Sequence, residues 1–131
     1  MRDYKFRGKS IETGEWVYGS LLSNGDNAYI VMSLYTLNDA LLSIEHHQVH
    51  PETVGQYTSI NDTTGVKIFE QDIVDCKIQN QKDFGEVKYS EMLGAYFLVG
   101  LNRSDTELWG ASKKIIIGNI HDNPELVQEE D

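Results

Sequence analysis

Short runs rich in Val, Ile, Tyr and Phe alternate with clusters of Gly, Asn and Asp along the chain, and this spacing predicts an antiparallel β protein. Thr13-Gly14 is the first turn signal, and Trp16–Leu22 follows as a strand. Asn24-Gly25 then reads as a type I′ hairpin turn, because both central positions of that turn need φ > 0. Tyr29–Met32 is its return strand. Leu34–His47 admits two readings. Asn38-Asp39 would cap a short helix through Ala40, Leu41, Leu42 and Ile44, but a strand running into His46–Val49 is favoured. Pro51-Glu52-Thr53 reads as a turn or a single helical turn, with Pro fixing φ. Val54–Ile60 is a strand, and Asn61–Gly65 a loop with Gly65 at positive φ.

Further on, Lys67-Ile68-Phe69 leads through the turn Glu70-Gln71-Asp72 into a strand, Ile73–Gln79. Asn80–Asp83 reads as a polar hairpin loop. Gly85–Ser90 and Ala95–Leu101 are strands joined through Glu91–Gly94, and Asn102–Asp105 is a turn. Lys114–Ile120 is a β-branched strand whose Ile115-Ile116-Ile117 is too apolar on both faces for a solvated surface. Asn123-Pro124-Glu125-Leu126 reads as a helix start, with Pro at the first helical position.

The fold this predicts is mainly β and a single domain over 1–131. An N-terminal β region (1–59) packs on an SH3-like small barrel (60–120), and a short C-terminal helix and acidic tail follow (121–131). The expected core is Val54, Tyr57, Ile68, Ile73, Val74, Val87, Phe97, Val99, Ile116 and Ile120. Trp16, Tyr18, Tyr29, Tyr57, Tyr96, Phe97 and Trp109 read mainly as core aromatics, with an interface as the second reading.

Charge narrows the functional classes. Net charge is −10, and from Ser10 to Val66 there is no Lys or Arg. Such a surface repels phosphate backbones, so direct nucleic-acid binding is not expected. The favoured reading of this acidic balance is a solubility surface; Glu12, Glu15, Glu45 and Glu52 form a candidate acidic interface. The single cysteine, Cys76, lacks a CxxC neighbour and reads as a buried, inert thiol in a reducing compartment. The charged start shows no signal-peptide core, and no apolar stretch approaches bilayer-spanning length. The expectation is a cytoplasmic protein with no membrane partner.

Candidate chemistry is sparse. Glu45-His46-His47-Gln48-Val49-His50 holds three of the four histidines. His46 and His50, with Glu45 or His121 as further ligands, could share a zinc ion. Pro51 ends any helix there, and no HExxH or Cys/His spacing is present, so surface or strand-edge histidines are the favoured reading. Glu52, Thr53 and Asp72 read as turn formers rather than catalytic groups. No nucleophile elbow or phosphate-binding loop is present, and no cofactor is expected.

The run HPETVGQYTSINDTTGVKIFEQDIV, residues 50–74, resembles the central signature of the YopX-like family of phage and prophage proteins, which reads roughly DPETVGQYTGLKDKNGKKIYEGDIV. The shared positions include Pro51, Glu52, Thr53, Gly55, Gln56, Asp62, Gly65 and Asp72. Where this chain has Gln71 the family has Gly. Phe6-Arg7-Gly8-Lys9, Gly14 and Trp16–Gly19 are similar to the family's opening, and Gly118, Asn119 and Pro124 fall in its closing motif. The resemblance implies no known enzymatic activity. Three functions follow as expectations: a non-enzymatic accessory protein that binds a protein partner or itself; an acidic decoy that blocks a host nucleic-acid-binding protein; and a metal-assisted hydrolase built on Glu45, His46, His50 and His121.

Overall fold

The computed structural model describes residues 5–35, 38, 40–78, 81–100, 106–108 and 113–126. The chain is mainly β and divides into two compact units, Met1–Tyr57 and Thr58–Asp131.

The first unit holds β1 (Phe6–Lys9), β2 (Trp16–Asn24), β3 (Asn27–Tyr35) and β4 (Leu41–Val49). A single 3-10 turn, Pro51–Thr53, then leads to β5 (Gly55–Asn61), which begins in this unit and ends in the next. Strands run in the order β4-β3-β2-β1-β5, all antiparallel. The end of β1 bridges back to β4 at Ser10 and Val49. That curl encloses Ala28, Ile30 and Val49, with Phe6, Val17, Met32 and Val54 packed against them. Gly8 permits it, because a Cβ there would lie 2.8 Å from Val49 Cγ2. The β2–β3 hairpin forms where expected, but its two-residue loop is Gly25-Asp26, flanked by the Asn24–Asn27 pair. Gly25 alone of these takes positive φ (62°), the pattern of a type II′ rather than a type I′ turn. Of the ambiguous stretch, Leu34 and Tyr35 end β3 and Leu41 to His47 lie in β4.

The second unit contains β6 (Lys67–Phe69), β7 (Asp72–Ile78), β8 (Gln81–Ser90), β9 (Ala95–Gly100), β10 (Thr106–Glu107) and β11 (Lys114–Asn119). The end of β5 is hydrogen-bonded to β6, and the remaining five strands form an antiparallel sheet in the order β10-β9-β8-β7-β11. The last strand therefore returns beside the first. Gln81 to Asp83, expected in a loop, pair instead with Ile78 to Cys76, since ladder hydrogen bonds join backbone groups whatever side chains they carry. Where the C-terminal helix was expected, the described residues 124–126 make one 3-10 turn, and the rest of that stretch lies outside the described residues. Asn102–Asp105, Trp109 and the tail 127–131 lie outside the described residues, as do Asp39 and Asn80.

The second core comprises Ile68, Val74, Cys76, Val87, Leu98 and Leu108, with Ile60, Tyr96 and Ile116 against it. Of the expected core, Ile68, Ile73, Val74 and Val87 are buried; Val54, Tyr57, Phe97, Val99, Ile116 and Ile120 are half-buried. On β9 the buried residue is Leu98, 3% exposed, directly opposite Val87. Phe97 and Val99 point to the other face, because side chains alternate along a strand. The described aromatics of the expected core are likewise half-buried, and the fully enclosed side chains are mainly aliphatic. Ile117 is exposed because β11 carries a bulge between Ile116 and Gly118 that leaves it out of the ladder. No helix among the described residues is long and apolar enough to cross a membrane.

Candidate functional site

The shared signature residues build turns and strand junctions. Thr53 is buried; its hydroxyl donates to the His50 carbonyl (2.6 Å) and accepts from the Lys9 amide (2.8 Å). Gly55 and Gln56 pair with Arg7 and Phe6 on β1. Arg7 is buried and stacks 4.5 Å above the Trp16 ring, a cation–π contact in the unit's opening strands. Pro51 and Glu52 are exposed on the 3-10 turn.

Asp62 organises the loop after β5. One carboxylate oxygen accepts from the Thr64 amide (2.9 Å), the Thr64 hydroxyl (2.7 Å) and the Val66 amide (2.9 Å); the other accepts from the Ile116 amide (3.3 Å). Desolvation pushes its pKa up, but these hydrogen bonds to the charged form outweigh it and hold the carboxyl below its ordinary value. Gly65 closes the loop at φ 94°. Asp72, also buried, accepts from the Phe69 amide at 2.8 Å. Asn119 takes the amides of His121 and Asp122 on its side-chain oxygen, and its own backbone amide donates to Asn123. Gly118 leaves room for the Asn123 side chain, and Pro124 opens the final 3-10 turn.

The histidines do not gather. Among the described residues no three of His, Cys, Asp or Glu are placed to hold a metal ion. His46 and His50 are exposed; His47 faces Glu45 and His50 faces Glu52, each pair at 3.6 Å. His121 belongs to the second unit, its Nε2 against the Gln71 side chain. Glu12, Glu15, Glu45 and Glu52 are all exposed on the first unit. Cys76 is buried.

A surface that sequence reading missed lies on β8 and β9. Lys88, Tyr89, Ser90, Leu93, Phe97 and Val99 line a groove with about 390 Å³ of water-accessible space. Register explains it. Glu86, Lys88 and Ser90 pair with Val99, Phe97 and Ala95, on the face opposite the Val87–Leu98 core pair. The hairpin turn adds Met92 (92% exposed) and Leu93 (66%), with Tyr89 at 47%. Tyr89 also meets Tyr96 edge-on, ring centres 5.0 Å apart. Burial, reinforced by Glu70 and Tyr89, raises the Tyr96 pKa. Apolar residues grouped at an exposed hairpin tip mark an interaction surface more than a chance exposure. The one hint in the sequence was Met92-Leu93 inside a turn that polar residues would normally occupy.

A model of the family described as "YopX protein" matches residues 5–128. No curated protein matches the chain significantly. Among solved structures, the crystal structure of protein EF1440 from Enterococcus faecalis is similar, at 21% identity and a TM-score of 0.53, covering 98% of this chain and 100% of that one. That likeness concerns the fold.

Proposed function

We propose that this chain, which belongs to the YopX family, is a non-enzymatic accessory protein of phage or prophage origin that works in the host cytoplasm by binding another protein or a second copy of itself. The observation that carries this reading is the β8–β9 groove with its exposed Tyr89 and Leu93, next to the exposed Met92 of the same hairpin turn. Apolar side chains kept in water on a folded chain are stabilised by a partner that covers them. The second unit suits the role. Its strand order, with β11 returning beside β7, supports an SH3-like barrel.

The acidic-decoy reading draws on a different observation. Net charge is −10, and Glu12, Glu15, Glu45 and Glu52 are exposed on the first unit. Affinity capture from lysate of the bacterium that carries the gene separates the two. Wild type and Met92→Asp/Leu93→Asp are compared at low and high salt. Docking on the groove predicts a partner lost from the double variant and retained at high salt. A decoy predicts a nucleic-acid-binding partner unaffected by the double variant and released by salt. Equal capture by both proteins, insensitive to salt, would overturn both readings.

A further inference from the structure

We propose that the β8–β9 groove takes a protein segment in which an apolar side chain sits beside a lysine or arginine, the apolar group against Phe97, Val99 and Leu93 and the cation against Glu86. This rests on the reading of the groove as a docking surface and adds the chemistry of what docks there.

Glu86 carries the argument. It lies across from Val99 and two residues before Lys88 on the groove's own face. Its side chain is 18% exposed, against 56% for Lys88. Among the described residues its ion pair is with Lys88, and at 4.0 Å that contact is long. A carboxylate that has given up most of its water is ordinarily satisfied by several donors, because an ionised carboxylate accepts at both oxygens. Lys88 is too exposed and too distant to supply that. The balance shows in the acid itself: desolvation raises the Glu86 pKa, and the Lys88 charge only partly opposes it. The chain therefore holds a half-desolvated acid, with acceptor capacity to spare, at the rim of an apolar groove.

The surroundings select the occupant. Glu107 on β10 pairs with Phe97, and Glu91 stands between the lining residues Ser90 and Leu93. Glu86 and Glu107 thus share the face of Phe97 and Val99, where Lys88 is the one cation among the lining residues. A second copy of this chain, also carrying −10, would bring like charge to this rim. A basic residue next to an aromatic or aliphatic one meets both requirements. An arginine fits best, because its planar fork can bond both carboxylate oxygens while its flat face lies on Phe97.

Panning a phage-displayed library of random peptides against the intact chain tests this. The expected winners carry Lys or Arg adjacent to an aromatic or aliphatic residue. Glu86→Gln should weaken them by about tenfold or more, while leaving the chain at least as stable as wild type at neutral pH, since a desolvated charge is removed. Leu93→Asp should abolish their binding. Acidic or uncharged winners, or affinity unchanged by Glu86→Gln with Leu93→Asp still abolishing it, would overturn the cation assignment and leave the groove a docking surface. Winners that survive Leu93→Asp, or a library with no winners, would overturn the assignment and count against the docking reading itself. A Glu86→Gln variant less stable than wild type would show Glu86 to be structural, and would overturn the proposal too.

Discussion

The Nε2 of His121 lies 2.7 Å from the side-chain oxygen of Gln71, a residue with φ 74°. The backbone of Gln71 is held as well: its amide donates to Val87 and its carbonyl accepts from Ile120, each at 3.0 Å. Three contacts thus fix a left-handed conformation that a side chain with Cβ adopts reluctantly. Ser59 is the other described non-glycine residue at positive φ (68°). Both stand where the family signature reads Gly. This chain therefore carries, at both positions, a strain that glycine would relieve.

Gln71→Gly releases the strain but gives up the His121 contact, so unfolding in urea should show stability within about 1 kcal/mol of wild type. Gln71→Val keeps neither the contact nor a tolerable φ, and should lose about 1–3 kcal/mol. A valine variant as stable as wild type would contradict the left-handed backbone.

Asp62→Ala removes the acceptor for four donors and should lose about 1–3 kcal/mol in the same measurement. The sign of its pH dependence follows from the lowered folded pKa. Its contribution is fully present above the ordinary carboxylate value of 3.8 and fades as pH falls through the lower folded value. Melting temperature against pH should therefore drop less steeply on the acid side in Asp62→Asn than in wild type. Parallel curves would show that the carboxylate is not held in its charged form.

On β9, Leu98→Ala should lose about 2–5 kcal/mol, because it opens a cavity beside Val87 in the enclosed core. Phe97→Ala should lose less, since Phe97 is half-buried on the opposite face. Chemical denaturation of the two variants ranks them, and the reverse order would put the strand in the other phase.

Gly19→Ala should prevent the first unit from folding normally, because the new Cβ would collide with the Val31 carbonyl oxygen across the β2–β3 pair. Gly14 has open space around its Cβ direction, so Gly14→Ala should cost only its positive-φ strain, about 1 kcal/mol. Circular dichroism melts that fail to separate the two would contradict this packing.

Strands and turns were legible because their signals are local. Trp16, Val17, Tyr18 and the glycine at 25 specify a hairpin without reference to anything distant. The phase of β9 was not legible, because Tyr96-Phe97-Leu98-Val99 is apolar at both parities and alternation cannot choose a face. Val87 makes that choice by pairing with Leu98. Ile115–Ile117 hid a bulge for the same reason. The groove was illegible because it exists only when β8 and β9 pair in one register, bringing Lys88 to Phe97. The signature was easy to see and misleading about location. Thr53, Asp62, Asp72 and Asn119 hold turns, while the exposed apolar groove residues lie outside it.

The most direct measurement is site-specific photocrosslinking in lysate of the bacterium that carries the gene. A benzophenone side chain is placed at Met92, on the exposed hairpin tip, and separately at Ile11, an exposed apolar position on the first unit. The account predicts a discrete crosslinked protein from position 92, absent from position 11 and lost when Leu93→Asp is added. Crosslinks from position 11 alone, or none from position 92, would contradict a protein-binding role for the β8–β9 surface.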